Sequence, residues 1–257
     1  MFSFYIRLTG KNRDHRTNRV LGVFMAFVAG AVNAGGFLAI QKYTSHMTGI
    51  ISGIADDLVI SELKVVFAGV VALASFVVGA ATTSVFINWT RRQGLHSEYA
   101  LSLSLEAFLL LIFGLLGANL NVLVEVFVPT TFILLCYIMG LQNALMTKVS
   151  RAEIRTTHMT GIVTDIGIEL GRLFYWNRSR HHTPEQNVRA NRSKLAIHLS
   201  VFASFLVGGI VGAYSFKAYG YQMTIPIALF LFVLAAPPLV QDVYAYLRGR
   251  RLGSRAG

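Results

Sequence analysis

Six apolar runs dominate this sequence, at about residues 20–40, 65–88, 101–118, 128–146, 195–216 and 223–244. Each nears or exceeds the ~20 residues that carry an α-helix across the hydrocarbon core of a bilayer. Backbone in lipid must satisfy its own N–H and C=O groups, so runs of this kind become helices. Only 14% of the chain is charged and 54% is hydrophobic, whereas a soluble domain carries about 25% charged residues. The expected fold is therefore an all-α integral membrane protein with six transmembrane helices.

The net charge of +11 could suggest nucleic acid, but the positions of the charges argue against it. Arg7, Lys11, Arg13, Arg16 and Arg19 precede the first run, and Arg91 and Arg92 separate the second from the third. Residues 148–194 hold a third cluster, and Arg248, Arg250, Arg251 and Arg255 form the tail. Lys42, Lys64 and Lys217 are the basic residues left for the other connections. Basic loops are retained on the cytosolic side, so both termini are expected in the cytosol and 119–125 outside. No nucleic-acid-binding signature competes with this reading, and no nucleic-acid partner is expected. Cys136 is the lone cysteine, which excludes an intrachain disulfide and a cysteine metal cage. The basic N-terminus lacks a clear small-residue cleavage site and reads as a retained segment, not a signal peptide.

Two shorter helix-like stretches, 47–60 and 159–176, are too short or too polar for a comfortable span. They suit re-entrant or interfacial helices. Their starts are nearly the same: Thr44-Ser45-His46-Met47-Thr48-Gly49-Ile50 and Thr156-Thr157-His158-Met159-Thr160-Gly161-Ile162 differ only at Ser45/Thr157. Upstream, Gly30-Ala31-Val32-Asn33-Ala34 resembles Gly140-Leu141-Gln142-Asn143-Ala144. Downstream, Ala74-Ser75-Phe76-Val77-Val78-Gly79 resembles Ala203-Ser204-Phe205-Leu206-Val207-Gly208. The chain divides into a cytosolic basic segment (1–19), a first membrane repeat (20–127), a second (128–246) and a basic tail (247–257). The second repeat carries a basic cytosolic insertion at about 177–192. Three spans per repeat is an odd number, so the second repeat must enter the membrane upside down relative to the first. Inverted repeats commonly frame a site near the bilayer midplane with broken or short helices.

On Gly30–Ala34 followed by Thr44–Gly49, the chain resembles the YoaK-like family of multi-spanning bacterial membrane proteins, the domain of unknown function 1275. The resemblance runs from about Leu21 to Tyr246. It implies a bacterial inner-membrane protein and supplies no substrate. The family pattern has Asp where this chain has Asn33, and Asn where it has Ile50. A proton carried by that Asp in relatives could not be carried by Asn33.

The paired motifs supply the candidate solute-binding residues: Asn33, Thr44, Ser45, His46, Thr48 and Gly49 in one half, and Gln142, Asn143, Thr156, Thr157, His158, Thr160 and Gly161 in the other. Hydroxyls before a helix can cap its free N–H groups, and those N–H groups with the helix dipole favour an anion. Histidines add donors, and charge at lower pH. The same residues equally fit a packing role, with Thr, His, Asn and Gln bonding between helices and Gly allowing close approach. Glu106, inside the third run, and Asp165, just after the second motif, are candidates for ion or proton coupling, since intramembrane charge is costly. Glu106 could instead snorkel or pair with Arg91 or Arg92. Asp56 and Asp57 are expected to meet water or headgroups. Gly208 and Gly212 read as helix packing, Trp89 and Trp176 as interfacial anchors, and His181 and His182 as part of a solvated loop. No catalytic signature is present, and no cofactor or metal is expected. The reading is a small-solute transporter or channel, its solute unidentified and an anion among the candidates, its other partner the lipid bilayer, with a homodimer compatible. A membrane-embedded enzyme, or a non-transporting scaffold or lipid-binding regulator, stands as the alternative.

Overall fold

The structure is a computed structural model, and it describes residues 8–11, 13–120, 124–150, 156–175 and 188–253, with side chains to 248. Among these residues all regular structure is helical: α1 (His15–Ile40), α2 (Met47–Val59), α3 (Leu63–Arg92), α4 (Ala100–Ala118), α5 (Val124–Val149), α6 (Met159–Phe174), α7 (Arg192–Tyr219), a 3₁₀ turn (Gly220–Met223) and α8 (Thr224–Gly253). A helix covers each of the apolar runs, and α2 and α6 cover the two short stretches. Trp176, His181 and His182 lie outside the described residues.

Among the described residues five helical segments are long and apolar enough to cross a membrane, and the last of them, Arg192–Arg248, takes in α7 and most of α8. The break between these two falls at Gly220, whose φ of 63° and ψ of −154° form a backbone conformation that glycine adopts and L side chains rarely do. The 30-residue α3 buries only 11% of its most apolar window. So apolar a helix with so little buried surface presents its side chains to lipid.

Local chemistry sets the ends of α1. Asp14 accepts from Thr17 N at 2.7 Å while Thr17 Oγ1 accepts from Asp14 N at 3.1 Å, a reciprocal cap. At the other end Gln41 adopts the left-handed conformation and its N–H reaches back to Phe37 O. In α8, Pro237 and Pro238 lie inside the helix. Each removes an i→i−4 donor. The carbonyl that Pro238 orphans, Leu234 O, accepts from the buried Thr9 hydroxyl at 2.7 Å.

The helices pack in matched pairs. α1 lies along α7, α3 along α5, and α4 along α8, while α2 rests on α3 and α6 on α7. The first helix of each half therefore packs against the third helix of the other half. Glycines make the two crossings tight. A Cβ added at Gly30 would sit 2.1 Å from Phe205 O, and one at Gly208 2.1 Å from Phe27 O. The second crossing repeats this, with Gly140 2.0 Å from Phe76 O and Gly79 2.1 Å from Tyr137 O. These four glycines hold corresponding places in the repeated segments. Gly212 joins the first crossing, where an added Cβ would lie 2.5 Å from Ala31 Cα. α4 and the 3₁₀ turn close one end through Phe113, which meets Tyr221 edge-on at 5.7 Å. At the other end Asp242 accepts from the backbone N–H groups of His96 and Ser97, each at 2.8 Å.

Candidate functional site

The site begins where α1 and α5 end. Asn33 lies two turns before the end of α1, and the chain then runs through 41–46 into α2. Ser45 Oγ donates back to Asn33 Oδ1 at 3.0 Å. In the second half Thr157 Oγ1 donates to Asn143 Oδ1 at 2.7 Å, and Asn143 Nδ2 donates to Met139 O at 3.0 Å. The one position at which the motifs differ, Ser45/Thr157, keeps the hydroxyl that makes this bond.

These bonds correct the capping role expected of Thr44, Ser45, Thr156 and Thr157. The N-caps are His46 and His158, and neither makes a side-chain cap bond. The hydroxyls of Ser45 and Thr157 are committed to the asparagines. Thr44 and Thr156 are fully buried, and their Oγ1 atoms have no hydrogen-bond partner among the described residues. Each histidine ring instead folds back over the first turn of its own helix. A Cβ at Gly49 would lie 2.2 Å from His46 Cδ2, and one at Gly161 2.4 Å from His158 Cδ2. Glycine at these positions makes space for the ring, and the first-turn N–H groups keep no side-chain acceptor.

Both motifs open onto one cavity of about 690 Å³, a size usual for small-molecule sites. The first half contributes Asn33, Ser45, His46 and Thr48, and the second Asn143, Thr157, His158 and Thr160. Phe76 and Phe205 line it as well, along with Met47 and Met159, Tyr43 and Thr147. No Asp, Glu, Lys or Arg is among its described lining residues. The walls are therefore hydroxyl, amide, imidazole, thioether and aromatic groups, nearly all in matched pairs.

The other sequence candidates stand apart from the cavity. Gln142 is buried and donates Nε2 to Met25 O at 3.0 Å, joining α5 to α1. Glu106 is fully buried on α4, and neither carboxylate oxygen has a hydrogen-bond partner among the described residues. Pairing with Arg91 or Arg92 is not what it does: Arg91 pairs with Glu98, and Glu106 reaches no surface. Asp165 ties α6 to α7, with Lys194 Nζ at 3.0 Å and His198 Nδ1 at 3.8 Å. Asp56 is exposed, and Asp57 lines a smaller cavity beneath α2. Trp89 is half-exposed near the end of α3.

Phe76, Phe205, Met47, Met159, Tyr43 and Thr147 were not singled out from sequence as site residues. A signal existed for four of them. Phe76 and Phe205 occupy matching places in the Ala-Ser-Phe segments, and Met47 and Met159 sit inside the motifs. Phenylalanine and methionine at helical spacing in an apolar run otherwise read as core.

The model of a family described as a protein of unknown function, DUF1275, matches residues 21–236. The chain belongs to this family. A relative from Bacillus subtilis (strain 168), described as UPF0700 transmembrane protein YoaK, is 27% identical over 220 residues, covering 84% of this chain and 92% of its own. No solved structure matches. With its long apolar helices and this transmembrane relative, the protein is a multi-pass α-helical membrane protein.

Proposed function

We propose that the protein is a transporter or channel for a small solute, and that the paired motifs form its binding site. The observation that carries this reading is the single cavity lined by corresponding residues from both halves: Asn33 with Asn143, Ser45 with Thr157, His46 with His158, and Thr48 with Thr160. Packing alone would explain glycines and interhelical hydrogen bonds. It does not call for histidines left exposed at two uncapped helix starts. The spans number six in this proposal, as two inverted three-helix repeats, with both termini in the cytosol and the protein in the bacterial inner membrane. The exchange of first helices between the halves, the matched glycine crossings and the alternating basic connections support that arrangement. α2 and α6 would then enter the site from opposite membrane faces.

A small anion suits the lining best. Asn33 and Asn143 have their carbonyl oxygens occupied by hydroxyl donors, no carboxylate intrudes, and the first turns of α2 and α6 offer N–H groups. Glu106 is assigned to ion or proton coupling and Asp165 to the same machinery, and no bond-making chemistry is assigned to the cavity. The test is flux into sealed, oriented proteoliposomes across a panel of small carboxylates and inorganic anions, with neutral solutes alongside. Saturable uptake that is lost in His46→Gln and His158→Gln supports the proposal. Absence of flux for every solute, from protein shown to be folded and oriented, would favour a scaffold or lipid-binding role.

A further inference from the structure

A second cavity lies outside the paired motifs, on the lipid-facing side of the molecule. It measures about 260 Å³ and forms where the segment after α1 meets α3 and α5. Its walls include Phe67, Val71, Val128, Phe132 and Ile133, and a single charged residue, Lys42, lines it. Phe67 is 71% exposed and Ile133 37%. Both α3 and α5 are among the segments apolar enough to span a bilayer. An apolar groove open at this level meets acyl chains rather than water.

Lys42 gives the groove a polar end. Its ammonium lies 5.4 Å from the centroid of the Phe132 ring, a cation–π distance. It makes no ion pair among the described residues. Asp57 lines the adjoining cavity beneath α2, which Lys42 also borders, yet the two carry no salt bridge. Lys42 is also one of three basic residues outside the four basic clusters, at the end of α1 remote from the basic N-terminus. The general retention of charge in cytosolic loops does not account for it. This cation sits over an aromatic ring at the mouth of an apolar groove, with no acid paired to it among the described residues.

We propose that this groove holds one acyl chain of an anionic phospholipid, with the headgroup phosphate on Lys42 and the chain along Phe67, Val71 and Ile133. The proposal does not rest on transport, only on the protein being embedded in a bilayer. A polybasic patch is not required: one unpaired lysine beside a fitted groove gives headgroup preference, and the groove gives retention.

The experiment uses the full-length protein, exchanged into mixed detergent micelles with equal phosphatidylglycerol and phosphatidylcholine, and counts retained lipids by native mass spectrometry. Phosphatidylglycerol should be retained about fivefold over phosphatidylcholine, the ratio expected for one basic group near a membrane surface. Lys42→Gln should erase that preference and Lys42→Arg should keep it. Ile133→Trp, which fills the groove, should lower retention of both lipids while the melting temperature holds. Equal retention of the two lipids by the wild type would overturn the proposal. A preference that survives Lys42→Gln would do the same, as would retention untouched by Ile133→Trp. Displacement of the lipid by soluble glycerol phosphate would also overturn it, by assigning Lys42 to a free anion.

Discussion

α2 and α6 begin alike and end differently. Both start at a histidine N-cap whose ring covers a glycine, and both send the preceding hydroxyl to an asparagine. One turn later the likeness stops. α6 carries Asp165, bound to Lys194 and close to His198, and the buried Glu169, which accepts from Arg172 at 2.8 Å and from Asn191 N at 2.7 Å. The corresponding positions in α2 are Gly53, which faces open space, and Asp57, which makes no ion pair among the described residues. α2 has no buried residue, and its smaller cavity lies between it and α3. The two halves thus agree where the solute cavity is built and diverge where each short helix is held. Elements with few buried contacts open at low free-energy cost, so α2 should be the more mobile.

The largest effect expected from this comparison concerns what the halves share. Gly140→Leu and Gly30→Leu each drive a side chain into backbone of the facing helix, at a cost of about 3 kcal/mol. Both variants should lose most monodisperse protein in detergent and melt well below the wild type. Gly53→Leu, which meets nothing, should melt within about 0.5 kcal/mol of it. If Gly30→Leu were harmless and Gly140→Leu severe, the two crossings would not be equivalent.

Next come the histidines. His46→Gln and His158→Gln should each lower solute flux about tenfold, the loss of roughly one hydrogen bond, with melting temperature unchanged. The effects should differ in size, because α2 and α6 are anchored differently. Normal flux in both variants would return the motifs to a packing role.

Glu106→Gln tests whether the carboxylate outside the cavity contributes. Insertion and folding should survive, since the isosteric amide needs no countercharge, while proton- or ion-driven flux is lost. Full activity across pH would remove Glu106 from the mechanism.

The smallest effect would sharpen the comparison most. Asp165 is partly exposed, so Asp165→Asn should cost no more than about 1 kcal/mol. Hydrogen exchange in 159–174 should nevertheless accelerate toward the rate in 47–59. The repeat alignment places Gly53 at Asp165 and Val65 at Lys194, and Gly53 and Val65 border the same cavity. Gly53→Asp with Val65→Lys should therefore transplant the latch and slow exchange in α2. An α2 that already exchanges as slowly as α6 would refute the proposed difference in mobility.

The helices were legible because lipid imposes a length, and apolar runs of that length have few other fates. The meeting of Asn33, Ser45, His46 and Thr48 with their counterparts was legible because the motif is repeated. What each hydroxyl does was not legible. Ser45 and Thr157 sit one residue before the N-cap of a helix, where capping and bonding to a neighbouring helix look the same in sequence. The latch escaped for a related reason: Asp165 carries a charge that suggests function, and only Lys194 and His198, a helix away, show what it binds. Glu106 was visible as an acid inside an apolar run, but its burial without a described partner is a property of three-dimensional packing.

The bond from Thr9 to Leu234 joins the segment ahead of α1 to α8, 225 residues later in the chain. Until α8 is in place, Thr9 has no such acceptor, and until Thr9 docks, the carbonyl freed by Pro238 has no such donor. The segment ahead of α1 must therefore wait while the rest of the chain is inserted, and its docking is a late event in biogenesis. A bulky fusion placed just before Leu8 would obstruct that closing step even though it lies far along the chain from the helix it disturbs.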